Sequence, residues 1–452
     1  MPDLDIIIRD GNVVTARDVL NTDIGISGGR IVTFGENLGE AGSEIINAAG
    51  LHIFPGVIDA HVHFNEPGRE EWEGLETGGR AFVAGGGTAF FDMPLHSHPP
   101  LLNIEAFDAK HQLGHKAIAD FALWGGLTPL NLDQLEPLAA RGVIGFKAFM
   151  CQSGLDEFPA ADDHTLHIGM ATAAAFNLPV AVHAESDALV QKLTEERLAH
   201  GLTSARDWLD SRPIEAELDA IRRALELAAE TGCKLHVVHA SCGEAVALIA
   251  AAKQRGVDVS CETCPHYLTL TEDDLFSLGA IAKCAPPLRP KASKDRLWSE
   301  LFAGRVTTIG SDHSPAPPAM KAGEDFFKIW DGIAGVQHTL PLLISEGYHQ
   351  RRLDLPSIAR LTSHNVAVRF DLPPQKGGIK IGAEADLAFV DLDAEYEVKR
   401  WELLNRHPLS PYAGRTLRGA VVRTMIFGRT VFLDGKIVST GGGRLLKPEG
   451  KS

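Results

Sequence analysis

Eight short apolar runs recur along the middle of this chain, and five of them end in a residue that can bind a metal ion or be made to. They read GVIDAHVHF, TAFFDMP, DFALWGG, GVIGFKAFM, LPVAVHAE, CKLHVVHA, VDVSCETC and VTTIGSDHS. Their ends supply His61 and His63, Lys147, His183, His239 and Asp312. An apolar run of this length that does not alternate with polar residues is a strand buried on both faces, as in a parallel sheet. Segments of helical period separate the runs, as in IEAELDAIRRALELAAETG, which should stop at Gly232. Strands alternating with helices, with polar residues at the strands' C-terminal ends, predict an α/β chain forming a (β/α)8 TIM-like barrel with its site on that face. RPKASKDRLWSELFAG supplies the last crossover helix.

The flanks read differently. Residues 1–54 and 375–452 are short β-patterned pieces punctuated by Gly-Gly and Asp-Gly, such as DIGISGGRIVTFG and VVRTMIFGRTVFLDGKIV. Neither flank has strands enough for a stable sheet by itself. The expectation is one small β-domain built from both termini beside a hydrolase barrel over residues 55–374, with the final GGGRLLKPEGKS frayed.

Composition narrows the function. The net charge of −16, with no basic stripe, argues against nucleic acid as a partner. No apolar run approaches the roughly 20 residues that span a bilayer, and the start has no basic, apolar leader pattern. Six scattered cysteines make no disulfide framework, so a reduced, cytoplasmic setting is expected. Cys261 and Cys264 lack the second pair of a zinc knuckle and read as buried thiols.

The candidate ligands suit a divalent ion. Alternation along a strand puts His61 and His63 on one face, and Asp59 shares it as a partner for an imidazole. For Lys147, one reading is an ammonium that reaches solvent or pairs with an acid. The other is covalent: carbon dioxide adds to the neutral amine, and the carbamate bridges two metals. His183 and His239 end successive strands, where a satisfied core histidine is the alternative. Asp312 could bind a metal through one oxygen and accept a proton through the other, or cap the turn that follows it. His96, His98, His111, His115, His164 and His167 are read as surface residues.

The strings DAHVHFNEPGRE, DMPLHSHPP, GFKAFM, VHAES, SARDWLDSRP, CETCPHYLTL, KCAPPLR, SDHSPAPPAMK and SPYAGR resemble the cyclic amidohydrolases of the amidohydrolase superfamily, end to end. The resemblance implies two divalent metal ions, usually Zn2+, bridged by a carbamylated lysine and hydroxide. Carried to this chain, one ion takes His61, His63, Lys147 and Asp312, and the other takes Lys147, His183 and His239. The implied substrate is a small-molecule cyclic ureide, with allantoin opened to allantoate. Hydantoinase, dihydropyrimidinase or dihydroorotase activity is the alternative, and a non-catalytic interaction protein the distant one. Dihydroorotases carry Arg where Asn65 stands here, so a carboxylate substrate is disfavoured. Asn65, Gly154, Ala285 and Asp331 are the expected substrate contacts, and Arg69 is expected to pair with an acid. His96 departs from the pattern of the nearest members. A homo-oligomer without nucleic-acid or membrane partners completes the expectation.

Overall fold

The structure, a computed structural model, describes residues 3–39 and 43–449. All eight apolar runs contain strands. The first three barrel strands, Val57–Val62, Gly87–Asp92 and Asp120–Leu123, pair in parallel. A short continuation of the third, Gly125–Gly126, pairs with the fourth, Phe146–Phe149. From there the sheet runs through Pro179–His183, Lys234–Val237, Val259–Thr263 and Thr308–Ile309. His63 N–H donates to the His313 carbonyl at 2.9 Å, and Val62 bridges His313, which brings the eighth strand back to the first. Every residue of the first, second, fifth and seventh strands is buried, as parallel strands covered on both faces must be.

Helices pack outside. The helix Ile214–Thr231 buries Ala220, Ile221, Ala224, Leu225 and Ala228, and stops at Gly232 with φ 70°. That left-handed residue is what a glycine C-cap allows. Lys291–Phe302 is the last crossover helix before the eighth strand. That strand is shorter than its apolar run, and beyond it Asp312 leaves the extended conformation, with φ 45°.

Both termini build the small β-domain. Leu387–Glu397 pairs antiparallel with His52–Pro55 on one side and with Thr416–Ile426 on the other. One sheet is therefore half C-terminal and half N-terminal, joined along the seam between Leu387–Glu397 and His52–Pro55. A second sheet, from Ile6–Arg9, Asp23–Ser27, Arg30–Gly35 and Glu44–Asn47, packs on it through Ile8, Ile24, Ile26, Ile53, Leu387 and Phe389.

The tail corrects an expectation. It does not fray through residue 449. Phe121 N–H donates to the Arg444 carbonyl at 2.9 Å, and Leu445 bridges Phe121 on the third barrel strand. Arg444 reaches Asp120 at 2.7 Å and Glu384 at 2.5 Å, and Lys376 joins the same acids. A Gly-rich composition signals backbone freedom but is silent on a partner 324 residues away in sequence, and that partner supplies the fixing contacts.

Candidate functional site

His61, His63, Lys147, His183, His239 and Asp312 all line one cavity of about 510 Å3 at the C-terminal ends of the barrel strands. This volume falls in the range of small-molecule sites. His61 Nε2 and His63 Nε2 lie 3.2 and 3.4 Å from Asp312 Oδ1, and a ligand atom of each residue falls within 4.8 Å of the others. The ring of His239 stands 5.4 Å from His61 and 4.6 Å from His183, centre to centre. Phe149 stacks on His183 at 4.5 Å.

The backbone departs from ordinary geometry at two of these candidate ligands. His239 and Asp312 have φ of 41° and 45°, in the left-handed region that non-glycine residues rarely enter. Such strain persists only where surrounding structure holds it, and it turns the side chains inward at the strand ends.

Carboxylates behind the imidazoles select which nitrogen is offered. His61 Nδ1 donates to Glu262 at 2.8 Å, leaving Nε2 for the cavity side. His183 Nε2 donates to Glu185 at 2.7 Å, so Nδ1 is its remaining ligand atom. Arg212 donates to the same Glu185 oxygen at 2.5 Å. Burial pushes both carboxyls up, but the charges around them win. Arg212 and His183 hold Glu185 down at about 2, while His61 and His236 hold Glu262 well below the usual range. Gly310 makes room: a Cβ there would stand 2.6 Å from the Glu262 carboxylate.

The residues fit a pair of divalent ions. The Lys147 amine is fully buried and has no hydrogen-bond partner among the described residues. Burial pushes it down from 10.5 to about 8. Burial likewise lowers His63, His183 and His239, which favours the neutral imidazole a metal requires. Nδ1 of His63 and of His239 is buried without a partner. A cluster of imidazoles, a carboxylate and an unpaired amine, with no ion pair to neutralise the amine, is poorly satisfied by itself.

Among the expected substrate contacts, Gly154, Ala285 and Asp331 line the cavity. Asn65 does not; its side chain is buried with both polar atoms unpartnered. Asp331 pairs with Lys283 at 2.9 Å. Arg69 forms its expected ion pair with Glu157 and lies 5.3 Å from the Trp72 ring. Asp59 holds backbone rather than an imidazole: it accepts from His61 N–H at 3.0 Å and Ser311 N–H at 3.1 Å. His98, His111, His115, His164 and His167 are exposed, but His96 is not. It is buried in the cavity wall, its ring 4.3 Å from His63 and 5.8 Å from Trp330.

Two residues were missed in the sequence as ligand-orienting groups. Glu262 sits inside the apolar seventh strand, and an acid buried in such a run was the available signal. Glu185 follows His183 by two positions on the same strand end.

The description "Amidohydrolase family" covers residues 52–438 of the chain. An allantoinase of Solibacter usitatus (strain Ellin6076) is 54% identical over 98% of this chain and 97% of its own. An allantoinase of Deinococcus radiodurans is 51% identical over 98% of this chain and 99% of its own. Among solved structures, the L-hydantoinase (dihydropyrimidinase) of Arthrobacter aurescens superposes with a TM-score of 0.96 at 32% identity, covering 98% of this chain and 100% of that one.

Proposed function

Since the chain belongs to the amidohydrolase family, we propose that it is an enzyme that opens the hydantoin ring of allantoin with water, giving allantoate. The observation that carries the reading is the convergence of four imidazoles, one carboxylate and one unpaired buried amine on a single cavity. The relatives named above as allantoinases supply the substrate.

His61, His63 and Asp312 would hold one divalent ion and His183 and His239 a second, with Lys147 contributing to both. Imidazole and carboxylate donors suit zinc. Bound there, such ions supply Lewis acidity toward the ring carbonyl and make water a nucleophile at neutral pH. The neutral Lys147 amine adds to carbon dioxide, forming an N–C bond and losing a proton. The buried basic amine would thereby become a carbamate anion able to hold divalent ions. Asp312 accepts the proton of the attacking water and returns it to the ring nitrogen that leaves. Glu262 and Glu185 keep His61 and His183 in one tautomer.

Gly154, Ala285 and Asp331 are positioned to meet the polar edge of a ureide. Asn65 is withdrawn from the cavity, and His96 takes up the wall space beside His63. Opening of simpler hydantoins is the second reading, supported by the close superposition on a hydantoinase. The test compares kcat/KM for allantoin, hydantoin, dihydrouracil and dihydroorotate on one zinc-loaded preparation. Allantoin should lead; a higher value for any other sinks the assignment.

Among the described residues no helix is long and apolar enough to cross a membrane. Six buried, unpaired cysteines support a reducing, cytoplasmic setting. A homo-oligomer is part of the proposal, with the exposed Trp401 as the candidate contact for a second copy. Light scattering after gel filtration tests it, and a monomer at micromolar concentration overturns it.

A further inference from the structure

Cys264 and His266 stand behind Asp312 and take no part in the chemistry above. Cys264 follows the seventh strand, and His266 lies in the short helix Pro265–Thr269 that comes next. A ligand atom of Cys264, one of His266 and one of Asp312 all fall within 4.8 Å of one another. All three residues are buried, His266 to 1% exposure, and among the described residues neither of its ring nitrogens has a hydrogen-bond partner. An imidazole left unsatisfied in the interior is costly, and a cation would take up the lone pair of one of its nitrogens. Only Asp312 of the three lines the cavity.

We propose that Cys264, His266 and Asp312 form a third, inhibitory site for a thiophilic divalent cation such as Zn2+ or Cd2+. Sulfur, imidazole and carboxylate together are a donor set that zinc-class ions favour, whereas magnesium and calcium prefer oxygen alone. On binding, the Cys264 S–H bond gives its proton to solvent as the sulfur–metal bond forms, with no change of oxidation state. The ion draws on the carboxylate that the reaction needs, so occupancy and turnover exclude each other. Binding stands by itself; inhibition rests on the role of Asp312 proposed above.

Cadmium is the probe, because the set His61, His63, Lys147, His183, His239 and Asp312 contains no sulfur, so a thiolate-to-cadmium ultraviolet band reports a cysteine. Zinc-loaded enzyme titrated with Cd2+ should develop the band with one further equivalent and lose at least about tenfold in activity. Cys264→Ala should keep its basal activity, lack the band, and need at least about tenfold more Cd2+ for equal inhibition. Even outer partners of a metal are worth that much in affinity, so a direct ligand should be worth no less. His266→Gln should weaken the band's titration similarly, and it decides the matter if Cys264→Ala does not fold. Cys151, near His183 and Glu185, and Cys284, in the cavity wall, are the competing thiols. A band that survives Cys264→Ala, one that instead disappears in Cys151→Ala or Cys284→Ala, or no band at all overturns the proposal. The band is read without substrate. A protein that shows it yet leaves allantoin intact would therefore unseat the reaction and leave the site standing.

Discussion

Replacing Lys147 with Met should make the metal-free protein more stable while abolishing its metal binding and turnover. The substitution keeps an unbranched apolar stem, with sulfur in place of one methylene, and ends it one atom short, where the amine stood. In the fold that amine is fully buried with no hydrogen-bond partner, and burial lowers it from 10.5 to about 8. Keeping it protonated below about pH 8 therefore costs roughly 2.5 pH units, or about 3 kcal/mol. The sign follows from proton linkage. Between the folded and unfolded values the unfolded chain binds more protons, so metal-free wild type gains stability as the pH rises. The advantage of Lys147→Met should thus be about 3 kcal/mol at pH 6.5 and shrink to about 1 kcal/mol at pH 9.5. The assay is urea unfolding of both metal-stripped proteins at the two pH values, in buffer freed of carbon dioxide, with metal content measured after reconstitution. If Lys147→Met is the less stable at pH 6.5, or its advantage grows with pH, the amine is not the buried, unpaired group described here. If it rebinds two metals and turns over normally, the bridging role falls.

Lys147→Ala should also lose metal and activity, and a short carboxylic acid in solution should restore part of both; metal content and turnover with and without acetate measure it. Asp312→Asn keeps an oxygen ligand but no proton acceptor, so kcat should fall at least roughly a hundredfold, with metal content falling less than in Lys147→Ala. Glu262→Gln leaves His61 without its charged partner and should weaken metal affinity about tenfold to a hundredfold; competition against a chelator reads this directly, and unchanged affinity removes Glu262 from the metal's support. Dihydroorotate should be a poor substrate, because Arg212 and Lys283 in the cavity wall are already paired with Glu185 and Asp331, and Arg69 with Glu157. A kcat/KM ratio of allantoin to dihydroorotate below one would refute that reasoning.

The barrel was legible because its strands carry their own signal. A run such as LPVAVHAE needs no partner to announce burial on both faces, and the abrupt arrival of His183 marks where burial gives way to chemistry. The residues that orient the ligands were harder to read. Glu262 acts on His61, 201 positions earlier, and nothing near either residue encodes that meeting. Asn65 misled for a related reason. It lies two residues beyond His63, but φ of 63° breaks the alternation that would have pointed it into the cavity. In the sequence His96 reads as a surface residue, and no apolar run surrounds it to signal otherwise. Trp72 and Trp330, far away in sequence, are what enclose it.

The return of the tail to the barrel has a consequence for how the chain is made. Leu445 sits beside Phe121, and Arg444 caps Asp120, yet both are translated after all eight barrel strands. At the ribosome the chain must therefore hold a barrel whose third strand has an open edge, beside an N-terminal half-sheet that still waits for Leu387–Glu397. Exposed edges of this kind are where nascent proteins pair with the wrong neighbour. A stall or premature stop between Asp312 and Arg444 would release a polypeptide that has all six candidate ligands and an unsealed wall. Quality control would meet it as an aggregation hazard, not as a slightly shorter enzyme.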